Sequence, residues 1–462
     1  MTSVLAWADR MATRAFTRPS ITWRQALNIV IPLIAENLFT TLFGMLNSGM
    51  ISSAGVAALS AVSLVDTLNN FLFVFYTGIA TGASVLVANY CGRGDREKLH
   101  EACIQAVTAV GLFTVFTMTF ILIFHSPLLK LLFGAAEQAV LDHARVYMLG
   151  GAVTLPLLGI ATAVCGVLRG IGEGKTSLRY TILSTVAYVL LSVVLIRGLK
   201  LGVTGLILAI TLSRLLNLVL LFRLLKTSHS QFRFRFHEFF RVDLHMFRGI
   251  MRVGFPCAIE NLFFTSGRLA TQTIVVPMGT NAIAAYNISY SIMTLNQFLA
   301  TPVNTAMFTI CGICMGNDRP EDVRSLTRSY FLLNTVTYVF ALGLVLLFFE
   351  PLVQFYNAPR EIVPLILQCS LITGIAHPLL HNFGFMLPSV FRAVGDGVFC
   401  TIISLITMWV FRVLGGYVLG TVLGMGVMGV WLAMIVDWVV RAVIYPVRFH
   451  GDRWLRHRII TE

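Results

Sequence analysis

The sequence has very little charge for its length. Only 12% of its 462 residues are Asp, Glu, Lys or Arg, whereas 57% are hydrophobic and the mean hydropathy is +0.81. A soluble chain of this size needs far more charged residues to cover its surface, so a soluble globular protein is excluded. The composition indicates a polytopic membrane protein.

Motifs for ATP hydrolysis and for common enzyme chemistry are also missing. The chain has no GxxxxGK[ST] phosphate loop, so we do not expect ATP to drive it directly. It has no HExxH motif and no paired nucleophile and base on any span, which argues against an intramembrane enzyme. The CxxC at Cys311–Cys314 has no second pair or histidine nearby, so we interpret the eight cysteines as small hydrophobic residues. No metal or bound cofactor is predicted.

Basic residues outnumber acidic ones, 34 to 21, and their distribution reports topology. Most Lys and Arg fall in loops and ends on one side of the predicted spans, which by the positive-inside rule places both termini in the cytoplasm. The excess positive charge is typical of contact with anionic lipid headgroups, and we do not expect a nucleic-acid partner. The segment 1–24 carries four arginines without a small-residue cleavage site, so we expect no secretory signal peptide.

Twelve apolar segments are long enough to cross a bilayer. They are 26–50, 57–88, 102–124, 141–168, 178–196, 203–225, 250–276, 281–314, 329–349, 361–391, 398–418 and 425–446. Six fall in each half, so the halves share an orientation and the predicted fold is all-α, with two six-helix lobes related by a pseudo-two-fold axis. The predicted organisation is a cytoplasmic N-terminal segment (1–24), an N-lobe (25–225), a cytoplasmic connector (226–249), a C-lobe (250–446) and a cytoplasmic tail (447–462).

The two halves repeat each other at a nearly constant offset along the chain. Pro32-Leu-Ile-Ala-Glu-Asn-Leu-Phe39 returns as Pro256-Cys-Ala-Ile-Glu-Asn-Leu-Phe263, with five of eight positions identical. With a shift of one residue from that offset, Val167-Leu-Arg-Gly-Ile-Gly-Glu-Gly174 returns as Val390-Phe-Arg-Ala-Val-Gly-Asp-Gly397. Matches in the same order at constant spacing indicate two copies of one unit. We call the offset from Pro32 to Pro256 the repeat length.

These features together resemble the multidrug and toxic compound extrusion (MATE) family of secondary transporters. The resemblance rests on twelve spans in two similar halves, an early proline in the first helix of each, and four sequence features. These features are the glycine that follows that helix (Gly55, Gly279), the Gly94-Asp95 turn, the Leu168-Arg-Gly-Ile-Gly-Glu173 turn and Gly202-Val-Thr-Gly205. It covers residues 25 to 446.

The resemblance implies a V-shaped pair of lobes around a central cavity. It implies export of amphipathic, often cationic small molecules, driven by an inward flow of protons or sodium ions rather than by a cofactor. We also expect a multi-pass protein of a bacterial-type cell membrane, surrounded by the lipid bilayer and working as a monomer. Two positions depart from the family pattern. Asn47 stands where members usually carry a first-helix aspartate, and Phe264 stands where many carry an acid in the seventh helix.

Three acidic residues within predicted spans are candidates for cation coupling: Glu36, Asp66 and Glu260. Ionisable groups inside a bilayer are expensive and persist mainly where they face a cavity or a partner. Glu36 falls on one helix face with Thr40 and Asn47, and Pro32 lies one turn before it. The alternatives are a structural hydrogen bond for Glu36 and, for Glu260, an ion pair with Arg268.

Polar residues on further helix faces are candidates for the substrate cavity. Asn69 and Asn70 share a span with Asp66, and His377 and His381 lie four residues apart on the tenth span, where proton sensing is an alternative. The full set of cavity candidates is Thr40, Asn47, Asn69, Asn70, Arg268, Asn287, Thr294, Gln297, His377 and His381. Uncharged polar residues on such helix faces more often form hydrogen bonds between helices than bind substrate.

The leading hypothesis is a multidrug-type efflux transporter that exchanges substrate for protons or sodium ions by alternating access. One alternative is a flippase for a lipid-linked or anionic amphiphile, suggested by the absent first-helix acid together with Arg268 and the two histidines. A second alternative is a non-transporting membrane receptor, which would bind ligand without flux.

Overall fold

The computed structural model describes residues 13–51, 56–133, 138–199, 201–227, 243–456 and 459. Within these residues the chain is almost entirely helical, and one isolated β-bridge joins Arg18 to Ile21. Backbone contacts divide the chain into two compact units. The N-unit comprises Ile31–Ala258, and the C-unit comprises Met1–Val30 together with Ile259–Glu462. The lobe and connector boundaries expected from the sequence stay a prediction.

The first half of the described chain forms six predicted spans. Its helices are α1 (Trp23–Ile51), α2 (Val56–Arg93), α3 (Arg96–Phe133), α4 (Gln138–Val153), α5 (Leu155–Gly170), α6 (Gly174–Ser192) and α7 (Gly202–Thr227). Helix α6 continues as a π-helical segment, Val193–Gly198. Helices α4 and α5 form one predicted span, bent by 47° at Thr154.

The second half repeats this order with different interruptions. Its helices are α8 (Leu244–Val275), α9 (Thr280–Asn296), α10 (Ala300–Gly316), α11 (Pro320–Leu347), α12 (Phe349–Phe355), α13 (Val363–Ala376), α14 (Leu387–Val394), α15 (Gly397–Ile406), α16 (Gly415–Tyr417) and α17 (Gly426–His450). Short 3₁₀ segments, Val276–Met278, Arg360–Ile362 and Arg453–Arg456, follow α8, precede α13 and follow α17. The π-helical segment His377–Met386 joins α13 to α14, and the segments Thr407–Leu414 and Val418–Val422 flank α16. Here the bent span is α9 with α10, at 50°.

The predicted all-α polytopic class is confirmed. Eight helices of the described chain are long and apolar enough to cross a membrane, and ten if each bent pair is one span. Helices α1 and α8 supply the first and seventh predicted spans, with 29 and 32 residues. The protein is therefore a multi-pass membrane protein.

Repeated glycines show that the duplication extends to packing. A Cβ on Gly205 would lie 2.9 Å from the Leu195 carbonyl oxygen, and a Cβ on Gly429 would lie 2.6 Å from the Leu419 carbonyl oxygen. The second pair lies one repeat length after the first. In both pairs only glycine allows the last helix of the unit to pack this closely on the preceding one.

Candidate functional site

The carboxylate of Glu36 on α1 is held by two helices of the N-unit. Arg169, in the last turn of α5, places Nη1 3.7 Å from Glu36 Oε1, and the Thr181 hydroxyl on α6 donates to the same oxygen at 3.1 Å. The second oxygen, Oε2, is buried and has no hydrogen-bond partner among the described residues. We call the contact between Glu36 and Arg169 the N-unit Glu–Arg pair.

The C-unit contains the corresponding pair. Glu260 on α8 forms a salt bridge with Arg392, in the last turn of α14. The sequence offered Arg268 as its partner, but the Arg268 guanidinium lies 5.4 Å from the centre of the Tyr290 ring and donates to its hydroxyl at 3.4 Å. The C-unit Glu–Arg pair is less exposed than its counterpart, with side chains 12% and 13% exposed against 16% and 27%.

The glycine-rich turn after each arginine explains why the pair recurs. Gly172 and Gly395 have φ angles of +82° and +102°, a left-handed conformation that ends the helix. The following residue then donates its N–H to a carbonyl of the last helical turn at 2.8 Å in both copies, Glu173 to Leu168 and Asp396 to Phe391. The turn fixes where the helix stops, and so where its arginine meets the first helix of the unit.

Asp66 on α2 is the centre of a second polar cluster in the N-unit. The Tyr147 hydroxyl on α4 donates to its Oδ1 at 2.8 Å, and the Asn69 amide lies at 3.5 Å from the same atom. Arg214 on α7 is within electrostatic range of Asp66 and donates to the hydroxyl of Thr154, at the α4–α5 bend. A carboxylate, a phenol and a guanidinium from three helices therefore meet beside a helix break.

The two histidines of the tenth span are buried together in the C-unit. His377 is 0% and His381 is 4% exposed, and the Gln297 side-chain nitrogen lies 3.0 and 3.3 Å from their Nε2 atoms. Asn296 contacts His377 Nδ1 at 3.1 Å, and the Tyr338 hydroxyl contacts His381 Nδ1 at 2.7 Å. The spacing of four residues, which predicted a shared face, is thus realised inside a hydrogen-bonded network.

Charged groups of the same unit surround this network. Asp437 and Arg441, four residues apart on α17, form a salt bridge at 2.7 Å that is almost fully buried. The Arg412 guanidinium lies over the Phe264 ring, 5.5 Å from its centre. Phe264 stands at the position where many members of the MATE family carry an acid, so a cation lies beside that position here. No group of three or more potential metal-ligating His, Cys, Asp or Glu side chains occurs in the part of the chain that the structure describes.

The remaining predicted cavity residues whose side chains the structure describes lie on exposed faces. Asn70, Asn287 and Thr294 are exposed, and Thr294 donates to the Tyr290 carbonyl at 3.0 Å within its own helix. The Thr40 hydroxyl is likewise bonded to the Glu36 carbonyl. The side chain of Asn47 lies outside the described residues.

One known family has the same two-fold repetition. The model of the MatE family matches the chain twice, over residues 32–194 and 256–418. Both ends of the second match lie one repeat length after those of the first, and together the matches cover more than half of the chain. The chain belongs to the MatE family.

Individual relatives match over nearly their whole length. A probable multidrug resistance protein NorM of Thermotoga maritima is 25% identical over 455 residues, covering 95% of this chain and 94% of the relative. A probable multidrug resistance protein YoeA of Bacillus subtilis is 26% identical over 436 residues, 92% of each chain. The outward-facing structure of a multidrug resistance MATE transporter of the MOP superfamily shares the fold, with a TM-score of 0.83 at 18% identity over 92% of this chain and 94% of that one.

Several residues of this MatE protein's polar clusters were not predicted from the sequence. The partners Arg169 and Arg392 were visible only as members of a turn motif, although their recurrence beside a recurring glutamate is a signal of pairing. Tyr147, Asn296 and Tyr338 gave no such signal, because a single polar aromatic or amide in an apolar helix is common and the contact depends on distant helices.

Proposed function

We propose that this protein is a secondary active exporter that moves amphipathic, cationic small molecules out of the cell in exchange for protons or sodium ions. The observation that carries the proposal is the similarity along the whole chain to multidrug resistance proteins, with both MatE matches present. The proposal includes no bound cofactor and no enzymatic reaction, because the ion gradient supplies the free energy.

The Asp66 cluster supports an acid as the coupling group. In the N-unit, Asp66 accepts a hydrogen bond from Tyr147 and lies within electrostatic range of Arg214. When the helices move and Arg214 is farther from Asp66, a proton or sodium ion can take its place as the positive charge beside the carboxylate. Glu36 and Glu260 are already paired with arginines, which favours a structural role for both.

The proposed setting follows from the charge distribution. The excess of Lys and Arg in loops on one side supports a bacterial-type cell membrane location with both termini in the cytoplasm. The proposed partners are the transported small molecule, the coupling cation and the lipid bilayer, with the protein acting as a monomer and without nucleic acid.

The test uses purified protein in proteoliposomes with a fluorescent cationic dye and separately imposed proton and sodium gradients. Asp66→Asn should abolish gradient-driven efflux while the unfolding temperature stays that of wild type, because asparagine still accepts the Tyr147 hydrogen bond. Asp142→Asn is the matched control, since this exposed carboxylate on α4 accepts a hydrogen bond from Gln138, one turn away on the same helix. Full efflux by Asp66→Asn would remove Asp66 from the coupling step.

A second candidate function has one observation in its favour. Arg268, Arg412 and Arg441 all belong to the C-unit interior or its edge, and within the described part of the chain only Arg441 of these three forms a salt bridge with a carboxylate. An interior richer in arginine suits an anionic or lipid-linked amphiphile. Transport of a fluorescent phospholipid, without dye efflux under either gradient, would favour this flippase.

A further inference from the structure

The imidazole of His377 meets a side-chain amide at each of its two nitrogens. Asn296 Nδ2 lies 3.1 Å from Nδ1, and Gln297 Nε2 lies 3.0 Å from Nε2. The ring is fully buried, so bulk solvent does not reach it. The protonation state of His377 therefore depends on whether each amide turns its oxygen or its NH2 group toward the ring.

Hydrogen-bond accounting allows two charge states of the ring, a neutral one with either amide flipped and a cationic one with both flipped. An imidazole carries at least one N–H, so two amide nitrogens cannot both donate to it. If one amide is flipped end for end and presents its oxygen, His377 is neutral. If both present oxygens, His377 is a cation that donates from both nitrogens. Asn296 is 3% exposed and its Oδ1 has no hydrogen-bond partner among the described residues, so its rotation gives that atom a donor.

The cationic arrangement also satisfies the neighbouring histidine. Gln297 lies 3.3 Å from His381 Nε2, and a carbonyl oxygen there accepts from both histidines through its two lone pairs. The Tyr338 hydroxyl, 2.7 Å from His381 Nδ1, then donates to that nitrogen and His381 stays neutral. One proton is therefore added to the His377–His381 pair, and every hydrogen-bond donor of the network still faces an acceptor.

The surroundings place the charge on His377 rather than on His381. The His377 ring stacks on Tyr338 and on Trp438, each with its centre at 5.1 Å, and aromatic faces attract a cation. His381 also stacks on an aromatic ring, that of Phe385 at 4.0 Å, but it lies within electrostatic range of Arg412 and Arg441, whose positive charges disfavour a second cation there. The other charged groups of this region are Asp437, paired with Arg441, and Glu260, which lies within electrostatic range of Arg441.

We propose that His377 is the proton-binding site of the C-unit, held as an imidazolium by the amide oxygens of Asn296 and Gln297. Both amides lie where α9 ends, at the 50° break before α10, and the histidines lie on a π-helical segment, a feature found often at functional sites. Proton binding at His377 biases the α9–α10 bend through these two amides. The proposal deepens the proposed function, because it rests on ion-driven transport and assigns one ion site.

Nuclear magnetic resonance of the full-length protein, labelled with ¹³C and ¹⁵N histidine in lipid nanodiscs, tests the site directly. The spectrum contains ten histidines, and His377→Gln and His381→Gln identify the two signals. As the pH is lowered from about 8, the His377 signal should change to that of an imidazolium before the His381 signal does. A His377 signal that remains neutral throughout would overturn the proposal.

Substitution of Gln297 gives two opposite expectations. Gln297→Glu always presents an oxygen, so the imidazolium fraction of His377 at a given pH should increase. Gln297→Leu removes the acceptor, so that fraction should decrease. Thr280→Ala, an exposed change on the same helix, is the control and should leave the titration unchanged. Shifts in the same direction for both Gln297 variants would contradict the assigned role.

Transport measurements separate this site from the function as a whole. In proteoliposomes, His377→Gln should lower proton-driven dye efflux by about tenfold. Unchanged proton-driven efflux in His377→Gln overturns the His377 proposal and leaves the exporter standing. If the wild type shows no efflux under either gradient, the exporter fails, and the titration of His377 still decides whether the proton site exists.

Discussion

The N-unit and the C-unit share the contacts that fix their helix ends, but their interior side chains differ. Both hold the first helix to the end of the fourth predicted span through a Glu–Arg pair, 36 with 169 and 260 with 392. At the interior positions one repeat length apart, Tyr290 replaces Asp66, Trp438 replaces Arg214 and Arg412 replaces Tyr188. The contacts that fix the helix ends have stayed the same, and the polar and charged side chains at these interior positions have diverged.

The helix breaks follow the same division. In the N-unit the fourth predicted span bends by 47° and Arg214 donates to Thr154 at the bend. In the C-unit the second span of the repeat, α9 with α10, bends by 50° beside the two histidines. Each unit therefore has an ionisable group at its own break, a carboxylate and guanidinium in one and an imidazole in the other. We infer that the two units respond to cations through different helices.

The largest expected effect comes from the buried Asp437–Arg441 pair, whose equivalent positions in the N-unit are Ser213 and Asn217. Arg441→Asn leaves the Asp437 carboxylate buried without its cation, and loss of one partner of a buried pair destabilises by about 3–5 kcal/mol. Unfolding followed by tryptophan fluorescence in detergent measures the loss of stability.

The double substitution Asp437→Ser with Arg441→Asn is the matched control, because it installs the N-unit residues and removes both charges. It should recover at least about half of the stability lost in Arg441→Asn, since replacing both partners avoids an unpaired charge. A double variant as unstable as the single one would show that packing, and not the unpaired carboxylate, causes the loss.

The Glu–Arg pairs should give a smaller and graded effect. Arg392→Met should destabilise by about 2 kcal/mol and Arg169→Met by less than about 1 kcal/mol, because the N-unit pair is more exposed and water screens it more. Thermal unfolding of the two variants, compared with wild type, measures the difference.

Charge exchange then tests whether Glu36 is structural. Glu36→Arg combined with Arg169→Glu should recover both stability and gradient-driven efflux relative to either single change, because the attraction is restored with its ends reversed. Recovery of stability without recovery of efflux would show that Glu36 takes part in the coupling step and is not only structural.

The sequence predicted the spans, the repeat and the acidic positions, but few of their contacts. Hydrophobic length and the constant repeat offset are local or periodic signals, and so is the i,i+4 spacing of Asp437 and Arg441. Arg268 was a reasonable partner for Glu260 by spacing, yet it contacts Tyr290, because spacing shows which residues share a helix face and not which neighbouring helix faces them. The π-helical segment and the α9–α10 break also depend on packing between distant helices, which a single sequence does not display.

The smallest expected effect tests how Asp66 is held. Tyr147→Phe removes the hydrogen bond to Asp66 Oδ1 but keeps the ring, the carboxylate and Arg214 in place. A hydrogen bond to a charged group contributes about 1.5–3 kcal/mol, and Asn69 remains as a weaker donor at 3.5 Å. We therefore expect a reduction of gradient-driven efflux by about tenfold, well short of the complete loss expected for Asp66→Asn.

Tyr338→Phe is the counterpart in the C-unit, where the phenol hydroxyl contacts His381, so efflux should fall less than in Tyr147→Phe. Equal losses in the two variants would mean that the two interiors contribute alike and that their divergence in sequence has no functional consequence.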